Sequence, residues 1–426
     1  MAGVVFATCA CGATVGPQTI QASSAAAFVD SIGVNVHFSN PGSVYVTRFS
    51  MVKERVLALG VTHLRDGAVD RGGGFSEGDG AALFKELGAA GVRLTFLFNA
   101  NTHKDFVQGF PARVAPAFEA YEFPNELNTA GTADWVGVLR AWAPVFYSYV
   151  QSNGTAPRYP VVGPSLADAG DNPAAALGDL STYLDFGNTH AYYTARHPAT
   201  PGWGGPGASP CEVWRYGALD YNLCNARRVS GSKPILSTET GWGSDSKVLG
   251  QVTPALQAKY LARMLLLHFN AGVARTFIYQ LVDSGSDGFG PYGLVTTTGA
   301  EKPAFTQIRN LIGLLHDGPA TGSPQALTLT LTGDTADVHT LLFEKSDRTF
   351  RLIAWIEKQG FDPFTRVPVT VAPIPVTLRL EGKARVRAAF LFQDDGTTDK
   401  ETPSPDVGGR YPLTLTDNLT VLEITR

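Results

Sequence analysis

The sequence of 426 residues carries little charge. Charged residues make up 17% of it, against the roughly 25% usual in soluble domains. There are 38 acidic and 34 basic residues. Without a surplus of Lys and Arg to neutralise phosphates, binding to nucleic acid or an anionic membrane surface is not expected. No apolar run approaches the roughly 20 residues that span a bilayer, so no membrane segment is expected either.

Cysteine is also scarce. The four cysteines are Cys9, Cys11, Cys211 and Cys224, and no histidine lies at zinc-ligand spacing from either pair. The G-x-S-x-G, H-E-x-x-H and P-loop motifs are absent as well, so we expect no metal and no cofactor. The separation of Cys211 from Cys224 favours a disulfide that closes a loop. The even cysteine count and low charge indicate a secreted or periplasmic protein.

Glycine and proline, with 46 and 27 residues, are plentiful by comparison. Gly60, Gly91 and Gly272 each separate a helical pattern from an apolar run, as a left-handed residue at a helix end does. The apolar runs are typical of buried parallel strands. Eight strands are predicted in this part of the chain, at 31–38, 61–65, 92–98, 118–123, 159–165, 184–192, 233–240 and 274–280.

Strands that alternate with helices over this length predict an α/β fold, a (β/α)8 barrel at residues 28–318. An open doubly wound sheet is the alternative, but no glycine-rich phosphate turn follows the first strand. After a Gly/Pro/Ser linker, seven short alternating runs predict an all-β antiparallel sandwich at 319–426. The runs are 326–333, 337–344, 348–357, 367–372, 375–381, 385–393 and 419–426. Residues 1–27 belong clearly to neither domain and are a candidate edge strand of the sandwich.

Barrel enzymes carry their working groups at the carboxyl ends of the strands. Glu126 follows the fourth predicted strand and Glu239 lies at the end of the seventh. Two facing carboxylates are what glycoside hydrolysis needs, and the amide of Asn125 suits a sugar 2-hydroxyl. The remaining candidate substrate-binding residues follow other strands and are His37, Arg65, Asn99, His190, Tyr192, Tyr193, Trp242, Tyr279 and Gln280.

Each of these residues also has a purely structural interpretation. Glu126 could be a carboxylate at a helix N-terminus, stabilised by the helix dipole. Arg65 could form an ion pair with Asp66 at the rim of the barrel. His190 could be a hydrogen-bonded core histidine. Trp203 and Trp214, in the loop after the sixth strand, could build a substrate wall or anchor the loop. Only the pairing of Glu126 with Glu239 at separate strand ends favours catalysis over these interpretations.

The two motifs around the carboxylates resemble those of a known group of enzymes. E-x-x-N-E-x-N at 122–128 and S-T-E-T-G-W at 237–242 are similar to motifs of the retaining glycoside hydrolases of clan A. Family thirty-nine is the most similar member, since it combines a barrel with a C-terminal sandwich. Two positions depart from the pattern: Leu127 stands where Pro is usual, and the eighth strand ends in Tyr279-Gln280 where many members have tryptophan.

The resemblance implies a role for each matched residue. Glu126 would be the general acid and then the general base, and Glu239 the nucleophile. Tyr192 would orient Glu239 through its hydroxyl, and Arg65 would keep Glu239 ionised by its positive charge. A retaining enzyme of this kind should hold its carboxyl groups about 5–5.5 Å apart.

The sequence therefore predicts a retaining glycoside hydrolase that cleaves a poly- or oligosaccharide by double displacement. Two alternatives stay open, namely a carbohydrate-binding barrel without activity and a transglycosylase with the same carboxylate pair. The expected partner is a carbohydrate, with no nucleic acid and no membrane. The sequence predicts neither the sugar nor the oligomeric state.

Overall fold

A computed structural model describes residues 16–68, 80–152, 158–168, 170–205, 209–284, 290–318 and 322–426. Cys9, Cys11, most of the N-terminal segment and part of the predicted linker lie outside these ranges. The disulfide predicted between Cys211 and Cys224 is confirmed, with Cα atoms 5.4 Å apart. Among the described residues, no helix has both the length and the apolar character needed to cross a bilayer.

Eight parallel strands form the barrel, as predicted. Each carries a run of buried side chains, because helices cover the outside and side chains fill the inside. The strands are β3 (Ile32–Asn35), β4 (His63–Ala68), β5 (Arg93–Phe98), β6 (Phe118–Glu122), β7 (Val161–Val162), β8 (Gly187–His190), β9 (Ile235–Thr240) and β10 (Val273–Ile278).

The strands pair in chain order around the barrel. Hydrogen-bonded ladders run from β7 through β6, β5, β4 and β3 to β10, β9 and β8. A parallel bridge between Val162 and Phe186 joins the two ends. This closure brings the carboxyl ends of all eight strands to one face, where the predicted site residues converge.

Helices connect the strands and end where the sequence predicts. Gly60, Gly91 and Gly272 all have positive φ angles, of 85°, 91° and 82°. The Thr253 side chain caps the helix that begins at Pro254. The helices are α1 (Ala25–Asp30), α2 (Val44–Thr47), α3 (Phe49–Leu59), α4 (Ala81–Ala89), α5 (Lys104–Val114), α6 (Trp135–Gln151), α7 (Pro173–Leu177), α8 (Leu219–Ser230), α9 (Pro254–Asn270) and α10 (Pro303–Leu315).

The C-terminal part is a β-sandwich, as predicted. The sandwich strands are β1 (Gln18–Gln21), β2 (Ser23–Ser24), β11 (Ala326–Gly333), β12 (Val338–Glu344), β13 (Phe350–Ile356), β14 (Phe361–Asp362), β15 (Val367–Pro368), β16 (Ile374–Leu380), β17 (Arg385–Phe392), β18 (Thr398–Glu401), β19 (Arg410–Leu415) and β20 (Thr420–Thr425). The two main sheets have the orders β1-β11-β16-β19 and β18-β17-β20-β13-β12-β2. The N-terminal strands β1 and β2 pair with β11 and β12, respectively.

Two details of the sandwich differ from the sequence prediction. The run 367–372 was expected to be a full strand, but only the two residues of β15 pair, with β14. Conversely, β18 and β19 were not predicted, since β18 is charged and β19 contains Pro412. Pro412 lies on the edge strand of its sheet, where its missing N–H group is tolerated.

One hydrophobic cluster extends from the barrel into one face of the sandwich, while the sandwich interior has clusters of its own. The ring of Phe343 on β12 lies 5.1 Å from that of Phe28 on α1 and 5.8 Å from that of Phe269 on α9. Arg263 on α9, fully buried, donates to the carbonyl oxygen of Ile356 at 3.0 Å. The sandwich is therefore fixed against the helix that follows β9.

Two helical glycines give a test of the packing. A Cβ at Gly88 in α4 would lie 2.6 Å from the backbone nitrogen of Ala117. Gly88→Ala should therefore cost about 1–3 kcal/mol of unfolding free energy through overpacking, although alanine favours helix. Gly313→Ala in α10 meets nothing within 4 Å and should stabilise by about 0.5–1 kcal/mol. Urea unfolding of both variants measures the two changes in unfolding free energy, which should have opposite signs. Equal changes would contradict the close packing of Gly88 against Ala117.

Candidate active site

A cavity of about 510 Å³ lies at the carboxyl ends of the barrel strands. Its walls come from residues at or just after the ends of β3, β4, β5, β6, β8, β9 and β10. Predicted site residues that line it are His37, Arg65, Asn125, Glu126, Tyr192, Glu239 and Tyr279. The structure thus brings both predicted carboxylates into one cavity.

Arg65 is at the centre of the polar groups beneath the cavity. Its Nε and Nη2 donate to the two carboxylate oxygens of Glu122, at 2.8 and 2.9 Å. Its Nη1 donates to Glu239 Oε1 at 2.7 Å and to Asn35 Oδ1 at 3.0 Å. Its Nη2 also donates to Asn125 Oδ1 at 2.7 Å. All five N–H groups of the guanidinium therefore have partners.

Glu122 provides the buried negative charge that balances Arg65. The residue is fully buried, and besides Arg65 its Oε1 accepts hydrogen bonds from Asn188 Nδ2 and Thr238 Oγ1, each at 3.0 Å. Burial by itself would lower the pKa of Arg65, but the charges of Glu122 and Glu239 outweigh it and raise that pKa. Arg65 is therefore a permanent cation between two carboxylates.

Glu239, on β9, has both carboxylate oxygens engaged. Oε1 accepts from Arg65, and Oε2 accepts from the Tyr192 hydroxyl at 3.0 Å. Burial would raise the pKa of Glu239, but the charges of His190 and Arg65 and the hydrogen bonds from Arg65 and Tyr192 outweigh it. The pKa of Glu239 consequently lies below its usual value. Glu239 is thus held as a carboxylate whose position is fixed from two sides.

Glu126 lies opposite, in the turn after β6. Its backbone is left-handed, with φ at 41°, which costs a non-glycine residue free energy and is common at functional sites. Its amide donates to Ser165 Oγ at 3.4 Å, and its Oε1 lies 2.6 Å from His190 Nδ1. Its side chain is 26% exposed, against 13% for Glu239. Glu126 is therefore the more accessible of the two carboxylates.

His190 lies between the two carboxylates. Its Nδ1 is 2.6 Å from Glu126 Oε1 and 3.7 Å from Glu239 Oε2, while its Nε2 is 3.2 Å from Thr238 Oγ1. One oxygen of Glu126, one oxygen of Glu239 and one ring nitrogen of His190 all lie within 4.8 Å of one another. The carboxylates are therefore close enough to act on the same bond of a small substrate.

The same three residues form the one group, among the described residues, that could hold a metal ion. The charges around the group oppose this. Arg65 donates to Glu239 at 2.7 Å, so a cation placed there would meet a permanent positive charge at close range. The charge of Arg65 therefore disfavours a divalent ion at these three residues.

Tyr193 and Trp242 were predicted to contact substrate, but they lie behind the site. Both are about 1% exposed, and their rings stack on each other with centroids 5.3 Å apart. Trp242 Nε1 donates to the carbonyl oxygen of Arg196 at 3.0 Å, and the Tyr193 hydroxyl lies 2.6 Å from His268 Nε2. These contacts belong to the core, so neither ring lines the cavity that the described residues form.

Gln280 and Asn99 are likewise not in the cavity wall that the described residues form. Gln280 is fully buried, and its Oε1 accepts from the Tyr45 hydroxyl at 3.1 Å. Asn99 lies exposed at the end of β5, where its carbonyl oxygen accepts from Thr102 Oγ1 at 2.6 Å. Gln280 supports the loop after β10, and Asn99 shapes a surface turn.

Four residues of the site were not predicted: Asn35, Glu122, Asp66 and Tyr292. Asn35, Asp66 and Tyr292 line the cavity, and Glu122 lies beneath it. Burial raises the pKa of Asp66 to about 7. A polar residue inside an otherwise apolar strand is a signal that could have identified Asn35 and Glu122, because a buried polar group needs a partner.

The sequence matches no protein-family model and no curated protein sequence, but solved structures share the fold. One is a family 39 glycoside hydrolase from the gut symbiont Bacteroides cellulosilyticus WH2. It is 17% identical, covers 94% of this chain and 82% of its own, and has a TM-score of 0.60. A GH51 arabinofuranosidase from Xanthomonas axonopodis pv. citri is 12% identical, with a TM-score of 0.59. The match covers 96% of this chain and 99% of that one.

A bifunctional glucanase-xylanase from a metagenome library is also similar, with 12% identity over 92% of this chain and 99% of that one, and a TM-score of 0.55. At such low identity these comparisons establish the architecture. The chain shares its fold with a family 39 and a GH51 glycoside hydrolase, and the likeness to family 39 predicted from the two motifs is confirmed at the level of the fold.

The balance of charge around Arg65 generates a stability test. Arg65→Met leaves Glu122 buried without its cation, so we expect a loss of about 3–5 kcal/mol of unfolding free energy. Adding Glu122→Gln removes the unpaired charge and should recover part of that loss. Arg158→Met, which removes a more exposed partner of Asp185, should cost under about 1 kcal/mol. If denaturant unfolding gave the same loss of free energy for Arg65→Met and Arg158→Met, the conclusion that Arg65 balances the buried charge of Glu122 would be refuted.

Proposed function

We propose that the protein is a retaining glycoside hydrolase in which Glu239 is the nucleophile and Glu126 the general acid and base. The observation that carries the proposal is the asymmetric carboxylate pair. One carboxylate is fixed by Arg65 and Tyr192 with a lowered pKa. The other is more exposed, and its side chain contacts His190. A nucleophile and a general acid need such different surroundings.

In the first step, a Glu239 oxygen attacks the anomeric carbon while Glu126, protonated, gives its proton to the glycosidic oxygen. The bond between the anomeric carbon and that oxygen breaks, and the sugar becomes an ester of Glu239. Arg65 and Tyr192 stabilise the attacking carboxylate and orient it. The leaving group departs as an alcohol with the proton from Glu126.

In the second step, Glu126 is a carboxylate and takes a proton from water. The water oxygen attacks the anomeric carbon, the ester bond to Glu239 breaks, and the sugar leaves with its original anomeric configuration. His190, 2.6 Å from Glu126 Oε1, is placed to stabilise this carboxylate. Because Asn125 Oδ1 accepts from Arg65, its NH2 group is the one oriented toward a sugar hydroxyl.

The carboxylate separation supports retention over inversion. Inverting enzymes separate their carboxyl groups by roughly 6.5–9.5 Å to admit a water molecule. Here an oxygen of Glu126 and an oxygen of Glu239 lie within 4.8 Å. So short a separation is typical of enzymes in which one carboxylate attacks the sugar directly.

The walls of the cavity indicate a carbohydrate of low charge as substrate. Tyr192, Tyr279 and Tyr292 present ring surfaces, which suit the apolar faces of sugars. Structural neighbours named as an arabinofuranosidase and a glucanase-xylanase suggest pentose and glucose residues as first candidates. The Cys211–Cys224 disulfide supports the proposal that the protein is secreted or periplasmic.

A panel of 4-nitrophenyl glycosides tests the activity directly. We expect turnover of at least one of the α-L-arabinofuranoside, β-D-xyloside and β-D-glucoside, with the product anomer identified by proton NMR. Retained configuration supports the double displacement, and inverted configuration contradicts it. Calorimetry that detects sugar binding without turnover would instead favour a carbohydrate-binding barrel, and transfer products longer than the substrate would favour a transglycosylase.

Substitution of each carboxylate separates the two roles. Glu239→Gln should lower kcat by roughly 10⁴-fold or more, because the covalent route is lost. Glu126→Ala should lower kcat by roughly 10²- to 10⁴-fold on 4-nitrophenyl glycosides, because protonation of the leaving group is lost. Its kcat/KM, which reports formation of the glycosyl ester, should fall less on 2,4-dinitrophenyl glycosides than on 4-nitrophenyl glycosides, because the former leaving group needs little protonation.

Added azide distinguishes the roles by product. With Glu126→Ala it should attack the glycosyl ester and give a glycosyl azide of the substrate's configuration. With Glu239→Ala it should attack the substrate directly and give the opposite anomer. The reverse pattern would exchange the two roles, and full activity of Glu239→Gln would refute the proposal.

A further inference from the structure

The segment 191–197, here called the Tyr192 segment, joins the candidate site to the β-sandwich. It follows β8 and carries Tyr192, whose hydroxyl donates to Glu239 Oε2 at 3.0 Å. We infer that Gln359 and Glu357 of the sandwich are positioning residues that hold the Tyr192 segment and, through it, keep Tyr192 on Glu239. The inference rests on the proposed function for its catalytic consequence.

The sandwich holds the far end of the segment by three side-chain contacts. Gln359 Nε2 donates to the carbonyl oxygen of Ala195 at 2.9 Å, and Gln359 Oε1 accepts from the amide of His197 at 3.0 Å. Glu357 Oε1 lies 2.8 Å from His197 Nδ1. One glutamine thus satisfies a donor and an acceptor of the segment's backbone, as a neighbouring strand would.

The barrel holds the near end of the segment. The amide of Ala191 donates to the carbonyl oxygen of Glu239 at 3.2 Å, and Thr240 Oγ1 donates to the carbonyl oxygen of Ala191 at 2.6 Å. At the far end the barrel also contributes one contact, since Trp242 Nε1 donates to the carbonyl oxygen of Arg196 at 3.0 Å. The segment is therefore held from both domains, and Tyr192 lies between the contacts at Ala191 and those at Ala195–His197.

Between these contacts the backbone is strained. Thr194 has a left-handed φ of 54° and is exposed, and this conformation is a genuine outlier for a β-branched residue. Strain of this kind persists only where surrounding contacts impose it. Tyr193 is fixed in the core before Thr194, and Gln359 together with Trp242 holds the residues that follow. The two bonds from Gln359 are the sandwich's share of the contacts that impose the strain. Their loss would let Thr194 relax and move the tyrosine two residues before it.

The sandwich side of the contact is itself rigid. Glu357 Oε2 accepts from Trp355 Nε1 at 2.6 Å and lies 3.5 Å from the Nε atom of the fully buried Arg263. The amide of Gly360 donates to the Tyr260 hydroxyl at 2.9 Å. Arg263 and Tyr260 both lie on α9, the helix that follows β9. The support for Tyr192 is thus tied to α9, the helix that follows the strand carrying Glu239.

A double-mutant cycle on the best 4-nitrophenyl glycoside of the panel tests the inference. Gln359→Ala should lower kcat by roughly 10- to 100-fold, as the misplacement of a catalytic group does, with KM nearly unchanged. Tyr192→Phe should lower kcat as well. The double variant should be no slower than the slower single variant, because both changes remove one interaction. Multiplicative losses would show that Gln359 acts independently of Tyr192 and would overturn the inference.

The pH profile provides a second measurement that simple destabilisation would not shift. The Tyr192 hydrogen bond favours ionised Glu239 and lowers its pKa. Losing the bond therefore raises that pKa, so the acidic limb of kcat/KM should move to higher pH in both Gln359→Ala and Tyr192→Phe. Asparagine tolerates the left-handed conformation better than threonine does, so Thr194→Asn should partly restore kcat in the Gln359→Ala background. An acidic limb that stays in place in Gln359→Ala would overturn the inference.

Asn310→Ala is the matched control. It removes a hydrogen bond from α10 to the carbonyl oxygen of Gly396, 2.9 Å long, which joins the same two domains but no residue of the Tyr192 segment. We expect kcat and the acidic limb to be unchanged in this variant. A loss in Asn310→Ala equal to that in Gln359→Ala would mean that any weakening of the interface lowers activity, and would overturn the specific role of Gln359.

Hydrogen exchange tests the coupling without any substrate. In Gln359→Ala the amide of Ala191, which is bonded to Glu239 and not to Gln359, should exchange faster, while Asn310→Ala should leave it unchanged. If no glycoside is cleaved by the wild type, the proposed function fails, yet this measurement still decides the coupling. Unchanged exchange at Ala191 in Gln359→Ala would overturn it.

Discussion

A buried guanidinium between two carboxylates is the constraint on which the candidate site depends. A cation inside the barrel is tolerated only when its charge and all its hydrogen bonds are satisfied. Glu122 supplies the balancing charge from β6, and Asn35 and Asn125 supply neutral acceptors. The planar guanidinium of Arg65 can donate its hydrogen bonds in only a few fixed directions. The ends of β3, β4, β6 and β9 must therefore meet in one arrangement, and Glu239 is fixed as part of it.

The second carboxylate is held in a different way. Glu126 lies in a left-handed turn beyond β6, and its side chain contacts His190 and is partly open to the cavity. Glu239 is linked to Arg65 and Tyr192, and Tyr192 lies on a segment that also contacts the sandwich. The site is thus composed of a rigid half, supported by both domains, and a more accessible half. This difference is what a reaction that needs one fixed anion and one proton carrier requires.

Much of the fold could be predicted because buried parallel strands are near-continuous apolar runs. All eight barrel strands were found in this way, and glycines such as Gly60 and Gly272 marked the helix ends between them. The sandwich was predicted as a class but less well in detail. Its strand β19 contains Pro412, and the run 367–372 pairs over only two residues. Strand pairing there depends on long-range partners, which a local pattern does not contain.

The sequence by itself determined which residue types stand at the strand ends, and hence the carboxylate pair and the arginine, because spacing along a parallel barrel dictates which positions reach its mouth. Only the tertiary structure decided which side chains face the cavity. Tyr192 lines it while its neighbour Tyr193 is buried against Trp242. Glu122 and Gln359 gained their roles from partners far away in the chain. Burial and long-range contact are properties of the folded chain, and no local pattern contains them.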